Sequence, residues 1–508
     1  MLARVWSACV MGIEAAPVSV EVDVTSGLPA FTTVGLPDTA VMESRDRVRS
    51  AIKNTGFVFP MERITVNLAP ADLKKEGASF DLPIALGMLA ATGVVNRERA
   101  ASYLLIGELG LDGEIRPVKG VLPMALSAAR DGVKGLLLAP ANAREASVVA
   151  ELEVIPVASL PQAVEFLNGE RQIDRGKADA VSLLSRGSDD DVDFAEVRGQ
   201  EHAKRLLEIA AAGGHNVLML GPPGGGKTML ARRLPTILPP LTMKESIEVS
   251  TIWSVAGLLS PDRGLVTARP FRAPHHTISD AGLIGGGSVP HSGEVSLAHH
   301  GVLFLDELPE FTQHVLESMR QPIEDGEVVV SRVAASTTFP AHFQLVGAAN
   351  PCRRGCLSIE SCVCTPGERQ RYLGKLSRPL LDRIDIHLEV PSVAAKALTD
   401  GPQGESSAAI RERVLAARAI QTERFQKTKI HRNAQMSAKQ LRRFCPIQED
   451  GKKLIVLAME RLGLSARAHD RILKVARTIA DLERSAEIRT EHLQEAIQAR
   501  SLDRWLGI

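Results

Sequence analysis

Aromatic side chains are scarce in this 508-residue chain, where three Trp, two Tyr and thirteen Phe make up 4%. Its cores must therefore be built mainly from aliphatic residues, within an apolar fraction of 44%. Net charge is missing as well, because 60 Lys and Arg stand against 60 Asp and Glu. A chain without a global field does not draw in a polyanion from a distance, so any nucleic-acid contact must be local. No apolar run reaches the roughly 20 residues that a bilayer-crossing helix needs, and the stretch from Ile84 to Val95 carries glycines. No membrane partner is expected. The opening "MLARVWSACVMGIEAAP" loosely resembles a secretion signal, but Glu14 interrupts its apolar part. Export is therefore not expected, and the cytoplasm is. Cysteine is rare too, yet four of the six thiols fall between Cys352 and Cys364.

The length allows about two to four domains, since a single core stops growing at roughly 250 to 300 residues. Residues 1–170 mix β-rich runs such as "VSVEVDV" and "RITVNLAP" with helical ones such as "FDLPIALGMLAA", which suggests an α+β unit. Residues 171–193 are polar, bear Gly and Asp and read as a linker. Residues 194–391 alternate apolar β runs with helical segments, the signature of a parallel α/β sheet. Residues 392–508 carry helical patterns after a loose start. From Arg411 to Arg443, ten Lys or Arg face two Glu, a local surplus that a solvated helix face would also explain.

The strongest motif lies in "NVLMLGPPGGGKTMLARRL". An apolar strand leads into Gly221-x-x-x-x-Gly226-Lys227-Thr228, and a helix follows. Glycines let backbone N–H groups close around phosphates, and the helix N-terminus adds a positive dipole end. The run Gly221, Pro222, Pro223, Gly224, Gly225, Gly226, Lys227, Thr228 and Met229 is the expected nucleotide-binding segment. Lys227 would reach the β and γ phosphates of ATP, and Thr228 would ligate Mg²⁺. "GVLFLDEL" supplies a second strand that ends on Asp306, a Mg²⁺ ligand, and Glu307, which would polarise the attacking water. "FQLVGAANP" supplies a third, with Asn350 placed to orient water or touch the γ-phosphate.

This ordered set resembles the AAA+ ATPases. "RPFRAPHHTISDAGLIGGG", "GVLFLDELPEF", "MRQPIEDGEVVVSR" and "RPLLDRIDIHLEV" are similar to motifs of the ComM (YifB) family of magnesium-chelatase-related ATPases, over essentially the whole chain. The resemblance implies a P-loop ATPase core with an all-helical lid. It also implies a hexameric DNA helicase that drives branch migration in homologous recombination and natural transformation, with recombination proteins as possible partners. Arg383 in "LLDRID" matches the arginine finger that reaches a neighbouring subunit's ATP, with Arg378 as its rival. Arg467 in "LSARAHDRIL" matches the lid arginine that contacts nucleotide in cis. Related ring ATPases point two insertions into the pore. Here the first offers Arg269, Arg272, His275 and His276 and the second Arg332, suited to sequence-independent phosphate contacts. Adjacent histidines on a strand point apart, so no metal is expected at His275 and His276.

Cys352-x₃-Cys356-x₅-Cys362-x-Cys364 can satisfy a tetrahedral Zn²⁺ site. Reduced structural thiols and a disulfide are the alternatives, the latter at odds with the reducing compartment in which an ATP-consuming protein works. At the front, "LKKEGASFDLP" and "GELGLDGEIRPVKGVLPMA" resemble the Lon protease domain. Ser79 falls at the serine position, but the lysine position aligns with Leu122 and Lys119 is three residues early. Leucine cannot activate a serine, so a Lon-like fold without peptidase activity is expected. A magnesium chelatase motor subunit is the first rival reading, and an ATP-dependent protease the second.

Overall fold

The computed structural model describes residues 1–176, 192–287, 290–331, 336–356, 362–392, 404–462 and 464–503. Arg332 and most of the expected linker lie outside the described residues. Two compact units are present, Met1–Gly187 with Thr242–Thr267, and Ser188–Leu241 with Ala268–Ile508.

In the first unit, β1 (Leu2–Met11) and β2 (Glu14–Thr25) form an antiparallel hairpin that closes where Met11 pairs with Glu14. Its turn passes through Gly12 at φ +65°, a conformation that penalises a side chain. Alternation makes β2 a strand: Val18, Val20, Val22 and Val24 are buried, whereas Glu21 and Asp23 between them are partly exposed. The unit adds β3 (Ala30–Val34), β4 (Arg63–Ala69), β5 (Tyr103–Leu105), a short hairpin of β6 (Glu108–Leu109) and β7 (Ile115–Arg116), β8 (Gly135–Leu138) and β9 (Glu153–Pro156). The main sheet has seven strands in the order β3-β4-β2-β1-β5-β8-β9. It is mixed, with β1–β2 and β2–β4 antiparallel and the other pairs parallel.

The helix Met243–Ala256 belongs to this first unit, although it lies inside the stretch expected to form the ATPase core. Its attachments explain the difference. Met243 and Ile247 pack on an apolar cluster with Val121, Leu122 and Leu136. The Gly120 N–H donates to the Ser254 carbonyl at 3.1 Å. Buried Glu145 accepts from the Ser254 hydroxyl and from the Leu122 N–H, the latter at 2.9 Å. Burial raises the Glu145 carboxyl above its usual range against these hydrogen bonds. Periodicity reports that a helix exists, but not which sheet it will cover.

The second unit contains β10 (Val217–Leu220), β11 (Phe271–Arg272), β12 (Gly285–Gly286), β13 (His291–Ser292), β14 (Val302–Leu305), β15 (Glu327–Ser331), β16 (Ser336–Pro340), β17 (Gln344–Ala349) and β18 (Ile386–Glu389). Five of these form a parallel sheet in the order β11-β14-β17-β10-β18. Every residue of β10, β14 and β17 is buried, which is why they read as continuous apolar runs. β12–β13 and β15–β16 are antiparallel pairs.

Helices Ser407–Phe425, Ala438–Phe444, Glu449–Leu462, Ala466–Leu482 and Thr490–Gln498 follow. Val414, Ile472 and Ile479 from these helices share one apolar cluster with Val217, Phe304 and Val346 of the sheet. A buried polar network adds direction. Asp385, 1% exposed, accepts from Arg471 at 2.6 Å and lies 3.0 Å from His215, whose other ring nitrogen meets Thr478 at 2.8 Å. Burial alone would raise the Asp385 carboxyl, but the charge of Arg471 and the His215 hydrogen bond outweigh it and hold it well below the usual range.

Candidate functional site

Leu220 of β10 lies opposite Ala349 of β17, and Leu305 of β14 lies opposite Gly347. The residues that follow these strands, Gly221, Asp306 and Asn350, therefore leave the sheet along one edge. That edge is formed by the carboxyl ends, where parallel sheets bind ligands.

Gly221 has to be glycine, because a Cβ there would lie 2.1 Å from the Val390 carbonyl oxygen. The loop turns through Gly224 and Gly226 at φ +75° and +91°, and the helix Lys227–Ile237 starts at once. Its first N–H groups have no partner within the helix and open onto the loop. The Lys227 ammonium donates to the carbonyls of Gly221 (2.7 Å) and Pro222 (2.8 Å) and to Asn350 Oδ1 (3.1 Å). Burial lowers its pKa against the pull of Asp306 and Glu307.

Thr228 Oγ1 donates to Asp306 Oδ2 at 2.7 Å, and the other Asp306 oxygen accepts the Glu307 N–H at 2.9 Å. Two hard oxygen donors thus stand together, the set that Mg²⁺ takes. Glu307 occupies the left-handed region at φ +51°, a strained placement for a residue with a side chain. Its carboxylate is half-exposed in a cavity of about 290 Å³ lined by Thr228, Arg232, His275, His276 and Asp306.

His275 and His276 lie here, beside the Glu307 carboxylate. Their rings are 4.1 Å apart and do not diverge as a regular strand would make them, and His276 Nδ1 is 3.6 Å from Glu307 Oε2. The two arginines of the same insertion are committed inside the protein and are not available to phosphate in this structure. Arg269 donates to the carbonyls of Pro239, Pro240 and His300. Arg272 makes a bidentate pair with Glu294 at 2.6 and 2.7 Å.

Arg383 is turned inward rather than projecting. Its side chain is 8% exposed and pairs with Glu324 at 2.5 Å, and Nη1 donates to the Pro379 carbonyl at 2.5 Å. Arg378 is exposed. Arg467 is exposed and pairs with Asp382 at 3.1 Å, one helical turn before Arg471 and its bond to Asp385.

The four Cys side chains converge, with all sulfur atoms within 4.8 Å of one another. The Cys356 N–H donates to Cys352 Sγ at 3.4 Å across a turn that Gly355 makes at φ +68°. Burial opposes ionisation of Cys352, but hydrogen bonds from Cys356 and the other thiols outweigh it and bring its pKa to about 7. All six cysteines are free thiols.

In the first unit, Leu122 is fully buried in an apolar cluster and Ser79 is buried. No base therefore comes from the Leu122 position.

Three residues of the second unit that stand at the site are not legible in the sequence. Gln200 donates to the Gly225 carbonyl at 2.7 Å, Arg232 lines the cavity, and the Tyr372 hydroxyl bonds the Asn350 backbone. Arg232 alone had a signal, one turn after Thr228 on the same helix.

Three family profiles match: "Magnesium chelatase, subunit ChlI" over residues 193–398, "Subunit ChlI of Mg-chelatase" over 20–142, and "Magnesium chelatase, subunit ChlI C-terminal" over 404–500. Among curated relatives, the competence protein ComM of Haemophilus influenzae is 46% identical over 512 residues, covering 99% of this chain and 98% of that one. YifB of Escherichia coli is 44% identical with the same coverage. The magnesium-chelatase 38 kDa subunit of Cereibacter sphaeroides is 26% identical over 39% of this chain and 58% of its own length. With its parallel sheet, its phosphate loop and this full-length likeness, the chain belongs to the ComM/YifB family of magnesium-chelatase-like AAA+ ATPases.

Proposed function

We propose that this chain is an ATP-driven ring motor on DNA, a helicase that promotes branch migration in homologous recombination and natural transformation. One observation carries the reading. Lys227, Thr228, Asp306, Glu307 and Asn350 meet at one sheet edge in a chain 46% identical over 99% of its length to a competence protein.

Lys227 exchanges the Gly221 and Pro222 carbonyls for the β and γ phosphates of ATP, while Thr228 and Asp306 hold Mg²⁺, which neutralises the phosphate charge. Glu307 takes the proton of the attacking water, His276 positions its carboxylate, and Asn350 orients the water against the γ-phosphate. Arg383 of a neighbouring subunit completes the site in a hexameric ring, with Arg378 as the rival, and Arg467 reports the nucleotide from the helical lid. Arg332, between β15 and β16 in the sequence, is the remaining candidate for a phosphate contact from the pore. The first unit is a Lon-like domain without peptidase activity, serving assembly or DNA handling. The four thiolates bind Zn²⁺, and the protein works in the cytoplasm.

ATP turnover measured alone and with branched DNA, a porphyrin or casein tests the reading. Stimulation by branched DNA is expected. Stimulation by porphyrin alone would make the chain a chelatase motor, and stimulation by casein alone a protease.

A further inference from the structure

The cysteine cluster sits against the phosphate loop. Asn350, which accepts from Lys227, is two residues before Cys352. A Cβ on Gly355, in the turn between Cys352 and Cys356, would lie 2.9 Å from Pro223 Cγ and 3.2 Å from Pro223 Cδ. The knuckle therefore packs directly on the tip of the nucleotide-binding loop.

The other end of the cluster returns to the same place. Cys364 precedes Thr365, whose side chain and Glu368 form the capping box of the helix Pro366–Leu373. Arg354, from the knuckle, reaches that Glu368 at 3.0 Å. Tyr372 on this helix bonds the Asn350 backbone through its hydroxyl and is buried with Leu220 and Ala349. The described residues 350–356 and 362–372 are thus tied to one another, by Tyr372 at the Asn350 backbone and by the four converging sulfurs.

We infer that an ion held by Cys352, Cys356, Cys362 and Cys364 is part of the nucleotide site: by fixing the knuckle it holds Pro223 and Asn350 in the phosphate-binding conformation, so affinity for ATP depends on the metal. The inference rests on the proposed nucleotide and Zn²⁺ sites and adds their coupling. Soft thiolates select Zn²⁺ among the abundant divalent ions. Zn–S bonds of about 2.3 Å place sulfurs about 3.8 Å apart in a tetrahedron, a small contraction from the 4.8 Å limit within which they lie. Without the ion, four thiols have no bonds of comparable strength to close the loop, and the knuckle samples other positions. If about one-tenth of the molecules then keep the competent loop, apparent affinity falls about tenfold.

The test uses the full-length protein in excess Mg²⁺, with zinc content measured and a fluorescent ADP analogue as the probe. Native protein is expected to hold one Zn²⁺ per chain. Stripping it with a zinc-selective chelator should weaken binding about tenfold, and re-adding Zn²⁺ should restore it, which an irreversibly unfolded protein would not show. Gly355→Asn keeps all four thiols and tolerates the left-handed turn at φ +68°, while its Cβ pushes on Pro223; it should retain zinc and still bind nucleotide more weakly. Cys362→Ser should lose both. Lys227→Ala should keep zinc and lose nucleotide, which reports on the phosphate site alone. Native protein free of zinc overturns the metal site and the coupling together. Native protein that holds zinc but binds no nucleotide overturns the phosphate-site reading and, with it, the coupling. Unchanged affinity after verified stripping overturns the coupling and leaves the two sites standing.

Discussion

Arg383 offers a sharp test of whether hydrolysis is shared between subunits. In this structure its guanidinium must leave two partners before it can reach a neighbour's phosphate. The ion pair with Glu324, whose side chain is 55% exposed, contributes about 0.5 kcal/mol after solvent screening. The bond from Nη1 to the Pro379 carbonyl contributes about 1.5 kcal/mol, as expected for a charged donor. Release thus costs about 2 kcal/mol, while a cation supplied in trans is worth about 10³ in rate, or about 4 kcal/mol. The gain exceeds the cost, so an inward-facing resting position is compatible with a role across the interface. Arg383→Ala should lower kcat for ATP about 30-fold, the net of about 2 kcal/mol, and lower Tm by about 4 °C, at about 2 °C per kcal/mol for a unit of this size. Glu324→Gln, which loosens the resting position, should leave kcat unchanged or slightly raised, and Arg378→Ala should cost less than about tenfold. Mixing Arg383→Ala with Lys227→Ala protein should restore part of the turnover, because each variant supplies what the other lacks. A lowered Tm with normal turnover in Arg383→Ala would make this arginine a structural anchor and refute the argument.

Glu307→Gln should bind ATP normally and lose at least about 10²-fold in turnover, measured by a binding titration beside a steady-state assay. His276→Ala should lower kcat more than it changes KM, since the ring lies 3.6 Å from Glu307 rather than in the phosphate loop. Lys474, nine-tenths buried with its ammonium on the Ala434 carbonyl at 2.8 Å, has its pKa lowered by burial from 10.5 to about 8. The unfolded chain therefore binds the extra proton between these values, and the stability of this unit should rise from about pH 8 to pH 10.5. Lys474→Met should abolish that rise and add about 2 kcal/mol below pH 8, from the roughly 3 kcal/mol that the separation represents less a lost hydrogen bond. Denaturant melts at pH 7.5 and pH 10 check both signs. Ser79→Ala should leave labelling by a serine-directed probe unchanged.

What the sequence reveals most clearly is whatever is carried by contiguous residues. β10, β14 and β17 are continuous apolar runs because both of their faces are covered, and a candidate site residue follows each of them directly. Gly221 and Lys227 are legible because the loop constrains residue type at fixed spacing. Partners from distant segments are not legible in this way. Gln200 reaches the loop from 25 residues upstream, Tyr372 reaches Asn350 from a later helix, and Glu145 receives Ser254 from 109 residues away. Charge was misleading where it had been spent internally. Arg269 and Arg272 look like free cations in one dimension and are saturated by carbonyls and by Glu294 in three. Histidine was misleading in the other direction, since "APHHT" gives no sign that it lies over Glu307.

The excursion Thr242–Thr267 makes the polypeptide enter its first unit twice. Dissecting the protein by removing everything up to Gly187 would leave Met243, Ile247 and Leu265 without the residues that cover them, so an expressed C-terminal fragment should be sticky unless this segment is deleted too. Conversely, a protease that severs the backbone once near residue 187 frees neither half: the pieces stay joined through both ends of the excursion, and a denaturing gel would reveal the break long before gel filtration did.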